Sequence, residues 1–297
     1  MSSLLDRAVV TLLPAVPKPV VRRLSSRYIA GSELEDARRV VTRLNAKGKL
    51  ATVDVLGEVI TSAEEAAAIT RAYLDVLDML DADGLDANVS VKLTGLGLLL
   101  DPSLARENLK AIAARGTFVR IDMEDSSTTD ATLDLFRSLV AEGYENLGVV
   151  LQAALRRTVD DARALAGANV RLCKGIYLEP PDIAYEDFDE IRSSFVAVLR
   201  ALLDAGCYVA VATHDDWLVD RALELLDERG LGPEEYEFQM LLGVREELGD
   251  ELVREGHRLR IYVPFGRQWY EYSLRRLQEN PKIAGYVALD TLKRLRP

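Results

Sequence analysis

The stretch TFVRIDM, Thr117 to Met123, sets Val119, Ile121 and Met123 against Arg120 and Asp122 in strict alternation. A period of two residues is that of a β-strand, whose successive side chains point to opposite faces. One face here is apolar and the other carries full charges. The same division appears at ANVSVKL (87 to 93), where Val89, Val91 and Leu93 oppose Ser90 and Lys92. At LGVVLQA (147 to 153), Val149 and Leu151 oppose Val150 and Gln152. YEFQML (236 to 241) opposes Phe238 and Met240 to Glu237 and Gln239, and RLRIYV (258 to 263) opposes Leu259, Ile261 and Val263 to Arg258, Arg260 and Tyr262. ATVDVLG (51 to 57), NVRLCKG (169 to 175) and CYVAVAT (207 to 213) complete the set of short β-branched runs.

Between these runs lie segments with helical spacing, among them TSAEEAAAITRAYLDVLDML, SLARENLKAIAARG, TDATLDLFRSLVAEG, TVDDARALAG, DFDEIRSSFVAVLRALLDAG, DWLVDRALELLDERG and REELGDELVREG. Several follow Ser, Thr or Asp and end at Gly, as capped helices do. An earlier segment, SELEDARRVVTRLNAKG, carries a start signal at Ser32 and a stop at Gly48. Strand and helix alternate about eight times, which predicts a closed parallel (β/α)8 barrel rather than an open doubly wound sheet. An antiparallel sheet with one wet face would alternate in the same way, but it has no need of the intervening helices. The expected division is an N-terminal helical arm over 1–48 and a barrel over 49–297.

In a closed barrel the polar faces point to the axis, where an unpaired charge is costly. A polar interior therefore implies a ligand or a paired network. Lys92, Asp122, Gln152, Lys174, Thr213, His214 and Tyr262 all fall near the C-terminal ends of their strands, the end at which barrel active sites are built.

Composition narrows the class further. The 297 residues are 48% hydrophobic and 29% charged, as in an ordinary soluble globular protein. A formal charge of −11 argues against non-specific binding to nucleic acid or to anionic lipid. Cys173 and Cys207 are the two cysteines, and each sits in an apolar run that suits a small buried thiol. The N-terminal run AVVTLLPAV follows Asp6 and Arg7 and is punctuated by Pro14, Pro17 and Pro19. It is a poor signal peptide and too short to span a bilayer. An arm packed on the body is expected, with peripheral membrane contact as the alternative.

Several chemical motifs fail on inspection. GLGLLL (95 to 100) lacks the third glycine of a dinucleotide loop and runs into Asp101-Pro102. THDD (213 to 216) could suggest a metal, but His257 is the one other histidine and precedes the eighth strand, at the opposite barrel end. No G-x-S-x-G elbow is present, and neither cysteine has a histidine partner in view. Lys92 at a strand end could be a Schiff-base lysine of an aldolase type, or a charged donor holding an anion. Lys92, Arg171, Lys174, Arg275 and Arg276 together carry more positive charge than an aldolase lysine needs, which favours anion binding and leaves a non-catalytic carboxylate-binding barrel as a further alternative. The terminal stretch YEYSLRRLQEN (270 to 280) spaces Tyr272, Arg275 and Glu279 at i, i+3 and i+7, and Arg276 lies three before Glu279. These groups share one sector of a helix.

Taken together, VSVKL, RIDME, VVLQA, VRLCKGIY, VATHD, YEFQML, RIYVPFG and YSLRRLQEN closely resemble, in order, the motifs of the proline dehydrogenase family. The resemblance covers nearly the whole barrel. It implies FAD-dependent oxidation of L-proline to Δ1-pyrroline-5-carboxylate in a distorted (β/α)8 barrel whose last helix packs over the mouth. Carried onto matching positions, Lys92, Arg275 and Arg276 would bind the substrate carboxylate, and Glu279 would orient the arginines. Tyr262, Tyr272 and Leu241 would wall the pyrrolidine ring. Met123, Val150, Gln152, Arg171, Lys174, Gly175, Ile176, Thr213 and His214 match FAD-contacting positions, and Asp122 and Arg171 match residues counted as catalytic.

The resemblance further implies electron transfer to a membrane quinone and a separate pyrroline-5-carboxylate dehydrogenase downstream. A cytoplasmic location, peripheral at the inner membrane, goes with it, as does the option of a homo-oligomer. No nucleic acid or metal partner is implied. The chain departs from the family pattern at Cys173, Ile176 and Leu178. Tyr272 resembles the bacterial form and implies preference for proline over hydroxyproline.

Overall fold

The computed structural model describes residues 27–57, 60–270 and 273. Eight parallel strands close into a barrel in sequence order. They are β1 (Leu50–Val55), β2 (Ala87–Val91), β3 (Val119–Ile121), β4 (Leu147–Gln152), β5 (Asn169–Cys173), β6 (Tyr208–Ala212), β7 (Tyr236–Leu241) and β8 (Leu259–Phe265). Closure comes from β8 pairing with β1 in the register Leu50↔Arg260 through Val55↔Phe265.

Helix α1 (Leu34–Asn45) precedes β1. The strands are then followed in turn by α2 (Ala63–Asp83), α3 (Pro102–Ala113), α4 (Thr129–Ala141), α5 (Thr158–Arg163), α6 (Phe188–Asp204), α7 (Asp216–Asp227) and α8 (Glu246–Arg254). Local chemistry sets their limits. The Ser62 side chain accepts from the Glu65 N–H and opens α2, while Gly84, at φ 59°, closes it in a left-handed turn that costs a glycine little. Pro102 at the first turn and the Asp101 side chain on the Ser103 N–H open α3. In α1 the start lies one residue beyond Ser32: Glu33 is the cap, and Asp36 reaches back to accept its N–H at 3.2 Å. Helix α5 ends at Arg163, short of the expected Gly167.

The outward faces of the strands are apolar and fully covered. Val53, Val89, Val91, Val119, Ile121, Val149, Val170, Val209, Phe238 and Val263 have no exposed surface, each burial being worth about 1.5–3 kcal/mol. Helix α1 packs on β8 and β1, the slot that a helix following β8 occupies in a regular barrel. The outer ring is therefore complete without any helix from beyond β8. After β8, Trp269 packs on Leu56, at the exit of β1, and on Ile29. That contact holds the chain at the rim of the mouth. The helix expected over the mouth lies outside the described residues, as does the arm before Arg27. Cys207 is buried with its Sγ 3.1 Å from Leu165 O, Cys173 is half-buried at the end of β5, and both are free thiols.

Candidate active site at the barrel mouth

Strand parity carries the inward polar residues to the axis as the sequence suggests. Asp122, just past β3, is the hub. Its Oδ1 accepts from Arg171 Nη1 at 2.7 Å and from Ser90 Oγ at 2.5 Å. Its Oδ2 accepts from the Tyr262 hydroxyl at 3.0 Å and faces Lys92 Nζ at 3.5 Å. Burial would push this carboxyl up, but the charges of Lys92 and Arg171 and the bonds from Ser90 and Tyr262 hold it below its ordinary value. The hub is thus an anion at neutral pH.

Lys92 is fixed from three sides. Its ammonium donates to Asp54 Oδ2 at 3.0 Å, to Asp54 Oδ1 at 3.1 Å and to the Tyr262 hydroxyl at 3.2 Å. Asp54, on β1, has no exposed surface. Behind it the Tyr73 hydroxyl of α2 lies 3.1 Å from Asp54 Oδ1 and 2.7 Å from Ser90 O. Burial first, and Asp54 second, raise the Tyr73 phenol well above its usual value, so it stays a neutral hydrogen-bonding group.

Arg171 lies across the axis. Nε donates to Gln239 Oε1 at 2.5 Å, and Gln239 Nε2 donates to Glu237 Oε1, which is shared with Arg260 Nε at 3.0 Å. The second guanidinium nitrogen, Nη2, is buried and has no hydrogen-bond partner among the described residues. A buried donor left unpaired costs about 1–3 kcal/mol. It marks a place for an acceptor.

The other expected residues line the rim. Gln152 Nε2 donates to Glu124 O at 2.7 Å. His214 Nε2 accepts the Leu241 N–H at 2.9 Å, which ties the ends of β6 and β7 and leaves the ring's other nitrogen to carry its proton. Thr213, Met123 and Val150 are buried. Gly175 follows β5 at φ 98°, and a Cβ there would stand 3.1 Å from Gln152 Oε1 and 3.4 Å from Ala154 Cβ. Ile176 is 47% exposed and Leu178 wholly so.

Lys174 stands apart from the axial group. It pairs with Asp215 and lies 4.3 Å above the Phe188 ring. Arg192 grips the same carboxylate through Nε at 2.9 Å and Nη2 at 2.7 Å. Burial opposes the shift, yet Arg192 and Lys174 bring Asp215 down to about 2.

Lys92, Arg171 and Lys174 each face a carboxylate, Asp54, Asp122 and Asp215 in turn, and Asp215 takes Arg192 as well. Buried cations are costly unless paired. Tyr272, Arg275, Arg276 and Glu279 lie outside the described residues.

The model of the family described as proline dehydrogenase matches residues 37–288. The chain belongs to the proline dehydrogenase family. It is similar to proline dehydrogenase of Deinococcus radiodurans, at 36% identity over 91% of this chain and 90% of that protein. It is likewise similar to proline dehydrogenase 1 of Bacillus subtilis strain 168, at 38% identity over 90% of each. Among solved structures, proline utilization A from Bdellovibrio bacteriovorus, inactivated by N-propargylglycine, superposes with a TM-score of 0.82. That likeness, at 24% identity over 92% of this chain and 36% of that one, shows the shared barrel. The chain is thus an enzyme, an oxidoreductase of the proline dehydrogenase family.

Sequence reasoning passed over Asp54, Tyr73 and Asp215. The alternation Thr52, Asp54 against Val53, Val55 marks Asp54 as inward in the same way as Lys92. Asp215 was visible within THDD, but no local pattern ties it to Arg192. Tyr73 sits on the apolar face of a helix, where nothing local announces a hydroxyl partner.

Proposed function

We propose that the chain oxidises L-proline to Δ1-pyrroline-5-carboxylate with FAD bound across the barrel mouth, and passes the electrons to a quinone. The observation that carries this reading is Arg171, anchored by Asp122 and Gln239 with Nη2 buried and unpartnered in the mouth of a proline dehydrogenase barrel. Bound FAD supplies the acceptor for the two electrons and the hydrogen that leave the substrate carbon.

The residues present suit that group. Arg171 Nη2 needs an acceptor such as a flavin ring oxygen or nitrogen. Gly175 packs where a Cβ would press on Gln152, a residue proposed to line the ring. Gln152, Thr213, His214, Met123 and Val150 would line the flavin, and Lys174 and Ile176 would border its outer part.

Lys92, with Arg275 and Arg276, would hold the substrate carboxylate, and Tyr262, Leu241 and Tyr272 would wall the ring, with Glu279 orienting the arginines. Two guanidiniums and an ammonium on one small carboxylate orient it strongly. Such a cationic setting also favours the neutral substrate amine, the form that can release hydride. Lys92 is held as a charged donor between Asp54 and Asp122, which suits carboxylate binding better than a free amine for a Schiff base. Asp122 would keep both Arg171 and Lys92 in place.

The unit boundary proposed is an arm over 1–48 and the barrel over 49–297. A separate pyrroline-5-carboxylate dehydrogenase would consume the product, and the setting is cytoplasmic with peripheral contact at the quinone-bearing membrane. No described helix is long and apolar enough to cross a membrane.

The test is direct. Purified protein titrated with L-proline without oxygen is expected to lose its visible flavin band and to form a product that o-aminobenzaldehyde traps. A sample that stays colourless after FAD addition and inactive with proline and a dye acceptor overturns the proposal.

A further inference from the structure

Arg171 and Gln239 belong to β5 and β7, two strands that β6 keeps apart. Between them β6 offers Ala210, in register with Arg171 on one side and with Glu237 on the other. In-register residues of a parallel sheet share a face, so Ala210 points inward with both neighbours. It has no exposed surface, and its methyl group is too short to stand between the side chains on either side of it. The guanidinium of Arg171 crosses β6 over that short residue to reach Gln239.

The amide of Gln239 has an acceptor end and a donor end. Its Oε1 accepts from Arg171 Nε at 2.5 Å, and its Nε2 donates to Glu237 Oε1 at 2.5 Å. Arg171 can only donate and an ionised Glu237 can only accept, so one orientation of the amide satisfies both. Glu237 is buried, which would push its carboxyl up, but Arg260, Gln239 and Arg120 hold it below its ordinary value. Arg260 grips Glu237 from β8, with Nε 3.0 and 3.1 Å from the two oxygens, and its Nη1 donates to Ala51 O at 2.8 Å. The nitrogen end of the amide is therefore pinned to the barrel wall.

The consequence falls on Arg171. A guanidinium is a rigid planar fork, so acceptors on two of its edges fix its plane as well as its place. Asp122 Oδ1 takes Nη1 at 2.7 Å, and Gln239 takes Nε. With both in place, Nη2 is the nitrogen left buried without a partner among the described residues. With Asp122 alone, the fork could turn about its Nη1 contact and carry Nη2 away.

We infer that Gln239, locked by Glu237, is a positioning residue that turns Arg171 so that Nη2 faces the flavin. This inference rests on the proposed flavin reaction, and it adds a residue that acts through Arg171.

The experiment is a titration of the purified full chain, stripped of flavin, with FAD, read from the visible flavin band, and then reduction by L-proline without oxygen. Gln239→Met keeps the length of the side chain and removes both hydrogen bonds. It is expected to raise the FAD dissociation constant about tenfold and to displace the band of the bound flavin, as for loss of a bond to a charged group. Flavin reduction at saturating proline is expected to slow about tenfold or more, while half-saturating proline stays within about threefold, because Lys92 keeps its own partners. In an Arg171→Met background, Gln239→Met is expected to change FAD binding by less than about threefold, since residues that act as one unit are not additive. Gln239→Leu gives the same reading if Gln239→Met fails to fold. The inference is overturned if a folded Gln239 variant binds FAD and is reduced as the wild type is. It is equally overturned if the substitution keeps its full effect on FAD binding once Arg171 is gone. A wild type that takes up no FAD overturns the proposed function and this inference with it, whereas a wild type that takes up FAD and is reduced by proline leaves a failure to Gln239 alone.

Discussion

Asp54 and Lys92 face each other across adjacent strands, with the ammonium 3.0 and 3.1 Å from the two carboxylate oxygens and the carboxylate wholly buried. Asp54 therefore fixes where Lys92 can present its charge, and the proposed substrate carboxylate depends on that position. Asp54→Asn keeps the shape and removes the charge. We expect kcat/KM for proline to fall about 10- to 100-fold, chiefly through KM, as for loss of a charge-assisted bond of about 1.5–3 kcal/mol. Flavin content should be unchanged. Unchanged KM with lost flavin would contradict the assigned role.

Asp122→Ala removes the shared partner of Arg171 and Lys92. Arg171 would then remain as a buried cation without its carboxylate, and breaking a buried pair in this way costs about 3–5 kcal/mol. We expect a clear drop in urea midpoint together with loss of proline oxidation. Asp122→Asn keeps one acceptor oxygen, enough for Ser90 and Arg171 but not for the Tyr262 hydroxyl as well, and should recover part of the stability but little of the activity.

How far the sequence carries this picture depends on the residue. In β2, β3 and β7 the inward faces are polar and the outward ones aliphatic, so parity alone shows that Lys92, Asp122 and Gln239 share an interior. The pairing within that interior is not local. Arg171 meets Asp122 from 49 positions away and Lys92 meets Tyr262 from 170 away, distances that only barrel closure makes small. Counting cations along the chain therefore does not show the carboxylates that geometry sets beside Lys92, Arg171 and Lys174. Placement of α1 between β8 and β1 was equally hidden, since an amphipathic helix does not state which groove it fills.

The pH dependence of stability should have an acidic arm set by Asp215. Its folded value of about 2 lies below the ordinary 3.8 because Arg192 and Lys174 outweigh burial. Between those values the unfolded chain binds more protons than the folded one, so stability falls as pH falls. The contribution is complete above about pH 4 and is lost as pH drops through about 2. Asp122, also held low, acts in the same direction. Urea unfolding at pH 5 and pH 3 is expected to show a smaller pH difference in Asp215→Asn than in the wild type.

Arg275→Met and Arg276→Met test the clamp proposed from the terminal stretch. Each should raise the proline KM strongly while flavin stays bound, because the carboxylate loses a guanidinium and the ring keeps its walls. Tight flavin loss with unchanged KM in the remaining holoenzyme would remove these arginines from the substrate site.

Gly175 tests the flavin cradle. The residue adopts φ 98°, outside the range that a side chain tolerates well, and a Cβ would press on Gln152 at 3.1 and 3.2 Å. Gly175→Ala thus combines backbone strain of about 1–2 kcal/mol with a methyl group pressed on Gln152, which is proposed to line the ring. Gln152, bonded to Glu124 O at 2.7 Å, has little freedom to retreat. The variant is expected to lose FAD on gel filtration and to regain it only at higher FAD concentration, with the barrel's far-ultraviolet circular dichroism unchanged. Full flavin retention in a folded Gly175→Ala protein would place the ring elsewhere in the mouth. In that case the unpartnered Arg171 Nη2, rather than the glycine, would be the surviving guide to its position.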